Sequence, residues 1–152
     1  MSQSKLIEKW KSMKKTLTAL ILAVLPLSVL AKDQIIDDGF KAFKEKGVAE
    51  AWKSWAKDGP LEGSKELQAQ SAQFGQITAY YGNFISHEYV SEKEISPSTK
   101  SVYVVINMEK GPLFGRFMVY KKSNGQLIIP SFNFHTFAEQ VWPPCVYSEC
   151  GN

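Results

Sequence analysis

Residues 101–137 read SVYVVINMEKGPLFGRFMVYKKSNGQLIIPSFNFHTF, and this stretch decides the fold class. Apolar residues alternate with other residues in three successive runs, which is the period of a β-strand. The runs lie at residues 101–108, 113–122 and 126–137. Short turn sequences separate them, and Ser-Asn-Gly at residues 123–125 is a typical hairpin signal. We therefore predict three antiparallel strands, the last with Pro130 at an edge or a bulge.

The alternation also predicts which side chains face the core. In the first run one face is wholly apolar and carries Val102, Val104, Ile106 and Met108. In the second run we expect the buried face to carry Phe114, Met118 and Tyr120. Arg116 shares that face, so it needs a carboxylate partner or an anionic ligand. If the register slips by one residue at Gly115, Arg116 is instead solvated.

The residues before this stretch predict helices and one further strand. Ile36, Phe40 and Phe43 recur at helical spacing and Gly47 ends the helix, while residues 48–57 form a second helix. A third helix starts near residue 64 and ends near residue 75, and residues 77–90 are predicted as a strand. This order predicts an α+β fold in which N-terminal helices pack on a curved, antiparallel, four-stranded sheet. We expect one domain at residues 32–138 and a tail at residues 139–152.

Residues 13–31, MKKTLTALILAVLPLSVLA, have the layout of a secretory signal peptide. Two lysines precede an apolar run of about 14 residues, whereas a membrane-spanning helix needs about 20. We predict cleavage after Ala31, translation that truly starts at Met13, and no stable membrane span after cleavage. The protein is then periplasmic or secreted, with an uncleaved anchor as the alternative.

Cleavage changes the charge of the protein. The whole chain has 18 basic and 15 acidic residues, and residues 1–31 contain five of the basic residues and one of the acidic ones. The remaining 121 residues carry 13 basic and 14 acidic side chains, a net charge of −1. Arg116 is the single arginine and the lysines are scattered, so we expect no nucleic acid partner.

Both cysteines, Cys145 and Cys150, lie in the last eight residues. In an oxidising compartment two cysteines at this spacing can close a small disulfide loop, which is our prediction. Free thiols and redox or metal chemistry are the alternatives. The spacing is not that of a redox CxxC pair, and no histidine stands near, so we predict no metal and no cofactor.

The order of helices and strands resembles small secreted members of the cystatin-like fold, which nuclear transport factor two also typifies. The resemblance covers residues 33–137, from a helical segment with paired tryptophans to the strand-rich stretch quoted above. It implies a cone-shaped domain, a fold that hosts isomerases, ligand carriers and assembly modules. An enzyme of this kind would use an acid and buried donors inside the cone. No tyrosine stands at a spacing that would pair it with Glu88 or Glu109. His87 and Glu88 are adjacent, so in a strand their side chains point to opposite faces. We therefore favour a protein without catalytic activity.

The resemblance leads us to expect a non-catalytic binding domain. Its ligand is a small apolar or amphipathic molecule, or a protein partner. The candidate ligand-binding residues are Trp52, Trp55, Tyr81, Tyr103, Arg116 and His135. Two alternatives stay open, a homodimeric interaction module without a ligand and a small isomerase- or hydrolase-like enzyme.

Overall fold

The computed structural model describes residues 34–146 of the chain. The predicted signal peptide and Cys150 lie outside the described residues. Cleavage after Ala31, the start at Met13 and the pairing of Cys145 with Cys150 therefore stay predictions. Within residues 34–146, no helix has the length and hydropathy that a membrane crossing requires.

Three helices come first in the described chain. They are α1 (Gln34–Lys46), α2 (Val48–Ala56) and α3 (Lys65–Tyr81). Gly47 separates the first two with a φ of 89°, a left-handed conformation that favours glycine at the end of a helix. Ser64 caps α3, because its side-chain oxygen accepts a hydrogen bond of 3.0 Å from the backbone N–H of Leu67.

Four strands follow and form one antiparallel sheet in sequence order. They are β1 (Phe84–Ser96), β2 (Thr99–Met108), β3 (Gly111–Lys121) and β4 (Leu127–His135). Two short 3₁₀ helices, Ala138–Gln140 and Pro144–Val146, come after the sheet. The architecture is α+β, three helices followed by a four-stranded antiparallel sheet, as the sequence predicts.

The boundary between α3 and β1 differs from the prediction. Residues 77–81 belong to α3, and Gly82, with a φ of 85°, ends the helix within the stretch that the sequence predicted as a strand. Ile77 and Tyr81 stand four residues apart and pack against the core, which is helical spacing. Their aromatic and β-branched neighbours favoured a strand instead. β1 also extends to Ser96, six residues beyond the predicted end of the strand at residue 90.

The buried face of β3 is the opposite of the one predicted. Leu113, Phe117 and Val119 face the helices, whereas Phe114 and Met118 are only half-buried and Tyr120 is exposed. Val102, Val104 and Ile106 of β2, which are buried as expected, pair with Phe117, Gly115 and Leu113 respectively. Gly115 adds no side chain to the inner face of β3. The alternation of apolar residues on that face is therefore interrupted in the sequence, which led to the wrong prediction. Arg116 consequently lies on the outer face of the sheet.

Aromatic rings fill the space between the helices and the sheet. The rings belong to Phe40, Trp52, Trp55, Phe74, Phe117, Phe132 and Phe134. Trp55 is completely buried, and its indole N–H donates to the backbone oxygen of Ile36 at 3.0 Å. Gly39 of α1 allows this contact, because a Cβ atom built at residue 39 would lie 1.8 Å from Trp55 Nε1. The interior is therefore a packed core.

The C-terminal segment, which the sequence predicted only as a tail, packs on the sheet. Val141 and Trp142 are buried with Tyr103 in a second cluster, against which Val105 and Phe114 also pack. Tyr103 and Phe114 belong to β2 and β3 and lie on the face away from the helices. The sheet is thus covered by helices on its inner face and in part by residues 138–146 on its outer face.

Candidate ligand groove

The sheet separates the six candidate ligand-binding residues. Trp52 and Trp55 lie in the aromatic core on the inner face, while Tyr103 and Arg116 lie on the outer face. Tyr81 lies at the end of α3, where its ring approaches Gly111. The predicted residues therefore do not line one cavity inside the fold. Trp52 and His135, however, line the same surface groove.

This groove lies between α3 and β4, the edge strand of the sheet, and has a volume of about 320 Å³. Its apolar side consists of Trp52, Phe74, Ile77, Phe132 and Phe134, and its polar side of Gln70, Gln73, Asn133, His135 and Thr136. The volume lies at the lower end of the range for small-molecule sites, which are mainly apolar with a few placed polar groups. The groove is thus shaped for a small molecule with both apolar and polar parts.

The aromatic side of the groove is held by ring packing. The ring centre of Trp52 lies 4.7 Å from that of Phe74 and 5.0 Å from that of Phe134. Phe74 and Phe134 are also 5.0 Å apart. Contacts at these distances stabilise by about 0.5–1.5 kcal/mol each beyond the burial of area. The groove therefore has a rigid apolar wall.

Trp52 carries an unpaired hydrogen-bond donor. Its side chain is only 2% exposed, and its indole N–H has no acceptor within residues 34–146. In contrast, the indole groups of Trp55 and Trp142 donate to backbone oxygens at 3.0 and 2.9 Å. A buried donor without a partner costs about 1–3 kcal/mol. Unfavourable local free energies of this kind are typical of functional positions. Trp52 also lines two neighbouring grooves.

Two further surface grooves flank the first. One, of about 450 Å³, lies between α2 and α3 and is lined mainly by apolar and small residues, with Trp52 at its inner end. The other, of about 670 Å³, lies where α1 and α3 end and includes Phe43, Gly82 and Met108. The groove at β4 combines several aromatic rings with several polar side chains. It is therefore the best candidate for a ligand-binding site.

A row of polar side chains crosses the outer face of the sheet beside this groove. Tyr103 of β2 is paired with Arg116 of β3, and Arg116 is paired with Asn133 of β4. With the Asn133 amide turned so that its oxygen faces β3, that oxygen accepts from Arg116 Nη2 at 3.2 Å. Asn133 also borders the groove, but its contact with Arg116 lies on the outer face of the sheet, on the other side from the aromatic wall.

His135 follows Asn133 at the end of β4. Its Nδ1 atom accepts a hydrogen bond of 3.0 Å from the backbone N–H of Phe137. A neutral imidazole that accepts at Nδ1 carries its proton on Nε2. His135 therefore presents an N–H donor from Nε2 next to the groove.

A cluster that the sequence analysis missed joins α1 to β1. One carboxylate oxygen of Asp37 accepts from the hydroxyl of Tyr89 at 2.7 Å and lies 2.9 Å from Nε2 of His87. The His87 ring also stacks on Phe40, with ring centres 4.0 Å apart. His87 and Tyr89 stand two residues apart and thus share a strand face, a signal that pairing His87 with Glu88 obscured. The contacts orient His87 and attach the edge strand to α1.

Glu109 fixes the link between α3 and β1. Its carboxylate accepts from the backbone N–H of Asn83 at 3.0 Å and from the Asn83 side chain at 2.9 Å. These two hydrogen bonds hold the pKa of Glu109 below its usual value, the backbone bond contributing most.

No group of three or more potential metal ligands occurs within the part of the chain that the structure describes.

Comparisons with known proteins give little further information. No protein family model matches the chain, and no curated protein matches it. A solved 2.5 Å structure from Catenulispora acidiphila is similar over 68% of this chain and 86% of its own, with 12% identity and a TM-score of 0.44. A likeness of this degree does not bear on function.

Proposed function

We propose that the protein is an exported, non-catalytic binding domain of the cystatin-like, nuclear-transport-factor-like type. Its ligand is a small amphipathic molecule, and its binding site is the groove between α3 and β4. The observation that carries the proposal is the division of one groove into an aromatic wall and a polar rim. Because the space between helices and sheet is filled by aromatic rings, the ligand binds at the surface of the fold.

The groove can bind an alkyl chain through burial of apolar area. Trp52, Phe74 and Phe132 are themselves buried, so the apolar wall keeps its shape without a ligand. A preformed wall avoids the entropic cost of ordering side chains on binding. Burial contributes about 0.8 kcal/mol for each methylene group that leaves water. A chain of eight carbons is therefore a suitable first probe.

Calorimetric titration of the purified exported protein with 1-octanol tests the proposal. Gln73 lines the groove from α3, whereas Gln76, three residues along the same helix, is exposed and lies outside it. We expect Gln73→Trp to fill the groove and weaken octanol binding at least tenfold, and Gln76→Trp to bind as the wild type does. No heat of binding with the wild type, or equal binding by both variants, contradicts the proposal.

A second candidate function, a protein-interaction module, is favoured by the edge strand β1. The pairing of β1 with β2 shifts register at three places, each of which leaves one apolar residue without a partner on β2. These residues are Ile85, Val90 and Ile95, with 55%, 41% and 58% of their surface exposed. Apolar side chains spaced along an exposed edge are typical of a surface that contacts another protein.

Sedimentation equilibrium separates this second candidate from the first. A homodimer formed through β1 should dissociate when Val90 is replaced by serine, with no change in octanol binding. A monomeric wild-type protein at high concentration excludes self-association, and the groove then stays the proposed site.

A further inference from the structure

β1 is an edge strand, and its free edge has no neighbouring strand within residues 34–146. All of its residues except Phe84 and His87 are exposed. The unpaired N–H and C=O groups of such an edge can pair with a strand of another chain. β-bulges usually prevent this, because an extra residue on one strand alone disrupts one-to-one pairing. A second copy of this chain carries the same extra residues, so two β1 strands can still pair residue by residue.

The irregularity at Val90 brings Glu88 and Lys93 onto one face of the sheet. Glu88 stands opposite Val105 of β2, on the outer face. Lys93 stands opposite Ser101, four residues before Val105 on the same strand. Residues four apart on a strand point to the same face, so both Glu88 and Lys93 point outward. In a regular strand these two residues, five apart, would point to opposite faces.

Glu88 and Lys93 are an acid and a base that can pair between two copies of the chain. One carboxylate oxygen of Glu88 accepts a hydrogen bond of 2.7 Å from the Asn107 side chain, which orients the carboxylate. Lys93 is exposed and forms no ion pair within residues 34–146. In an antiparallel pair of β1 strands with the two-fold axis between Val90 and Ser91, residues at equal distances from the axis face each other. Each Glu88 then faces Lys93 of the second copy.

The same register also matches the inner-facing residues of β1. The partners of His87, Tyr89, Glu92 and Glu94 on β2 all belong to its inner face. In the symmetric pair His87 faces Glu94 of the second copy. Tyr89 likewise faces Glu92, so no two like charges lie directly opposite each other. Both the direction of the side chains and their charges are therefore self-complementary along β1.

We propose that β1 pairs with β1 of a second copy of this chain in this register, with reciprocal ion pairs between Glu88 and Lys93. This inference rests on the second candidate function, the interaction module, and names its partner and its geometry. Val90 lies next to the two-fold axis, so its exposed apolar surface is covered by the second copy. The result is one continuous eight-stranded antiparallel sheet across the dimer. The groove lies at β4, the other edge of the sheet, and stays open.

Sedimentation equilibrium of two charge variants, alone and mixed, tests the inference. Glu88→Lys places two lysines opposite each other at both contacts of the dimer, and Lys93→Glu places two glutamates there. Like charges opposite each other destabilise a strand pair, so each variant alone should self-associate about tenfold more weakly than the wild type, or less. An equimolar mixture restores both opposite-charge pairs and should associate about as tightly as the wild type. Lys65→Glu, which makes the same charge change on α3, should self-associate as the wild type does.

The outcomes separate this inference from the proposed functions. If the wild type is monomeric at high concentration, the inference and the interaction module are both wrong, and the groove is unaffected. If Val90→Ser dissociates a wild-type dimer but the charge variants associate as the wild type does, or do not complement each other, β1 is the interface and the register is wrong. Titration of each variant with 1-octanol tests the groove independently. Circular dichroism confirms that a lost association is not a lost fold.

Discussion

The indole N–H of Trp142 donates a hydrogen bond of 2.9 Å to the backbone oxygen of Gly115, at the centre of the sheet. Trp142 lies 27 residues beyond Gly115 and packs edge-on against Phe114, with ring centres 5.0 Å apart. This contact attaches the C-terminal segment to the outer face, where it covers Tyr103. The outer face therefore depends for its shape on a residue far along the chain.

Replacement of Trp142 by alanine should destabilise the protein by about 3–5 kcal/mol, because a large buried ring is lost and the outer cluster is exposed. Trp142→Phe should cost less, since most of the ring remains and only the hydrogen bond to Gly115 is removed. Urea unfolding followed by circular dichroism gives both values. A loss below 1 kcal/mol for the alanine variant would show that the C-terminal segment does not stabilise the sheet.

Two helical glycines should respond in opposite directions to alanine. At Gly39 the new methyl group would overlap Trp55, so we expect a loss of about 3 kcal/mol or more. At Gly75 no atom lies within 4 Å of the new Cβ, so alanine should stabilise α3 by about 0.5–1 kcal/mol. Thermal unfolding of the two variants side by side measures the difference. Equal melting temperatures would contradict the packing of α1 on Trp55.

The contribution of Glu109 to stability should depend on pH. Its pKa is lowered in the folded state, so the stabilisation is complete above the usual glutamate pKa and is lost as the pH falls through the lower folded value. Glu109→Gln should therefore unfold at a lower urea concentration than the wild type at pH 7. The two midpoints should converge in acid, and a difference that is independent of pH would be evidence against the carboxylate contacts with Asn83.

Much of the fold could be predicted from the sequence, where the pattern of apolar residues was regular. Ile36, Phe40 and Phe43 lie buried on α1 at the expected spacing, and the inner face of β2 is as predicted. Gly115 interrupts the same pattern on β3, and the aromatic residues near the end of α3 have strand propensity. In both places the three-dimensional packing decides the outcome and the local pattern does not.

The candidate site was harder to predict because it depends on which face each strand presents. The sequence predicted Arg116 on the inner face of the sheet, together with Trp52 and Trp55. In the structure Arg116 lies on the outer face, so the sheet separates it from the two tryptophans. The groove itself brings residues of α2, α3 and β4 together across about 80 positions of the chain. No local motif signals such a contact, and Asp37 with His87 shows the same difficulty across 50 positions.

The most direct test of the central claim is a ¹H–¹⁵N spectrum of the tryptophan indole groups during titration with 1-octanol. Trp52 lines the groove, Trp55 lies behind it in the core, and Trp142 is hydrogen-bonded on the opposite face of the sheet. We predict a saturable shift of the Trp52 indole resonance, a smaller shift for Trp55 and none for Trp142. A Trp52 resonance that does not move at octanol saturation, or a shift largest at Trp142, would contradict binding in the groove between α3 and β4.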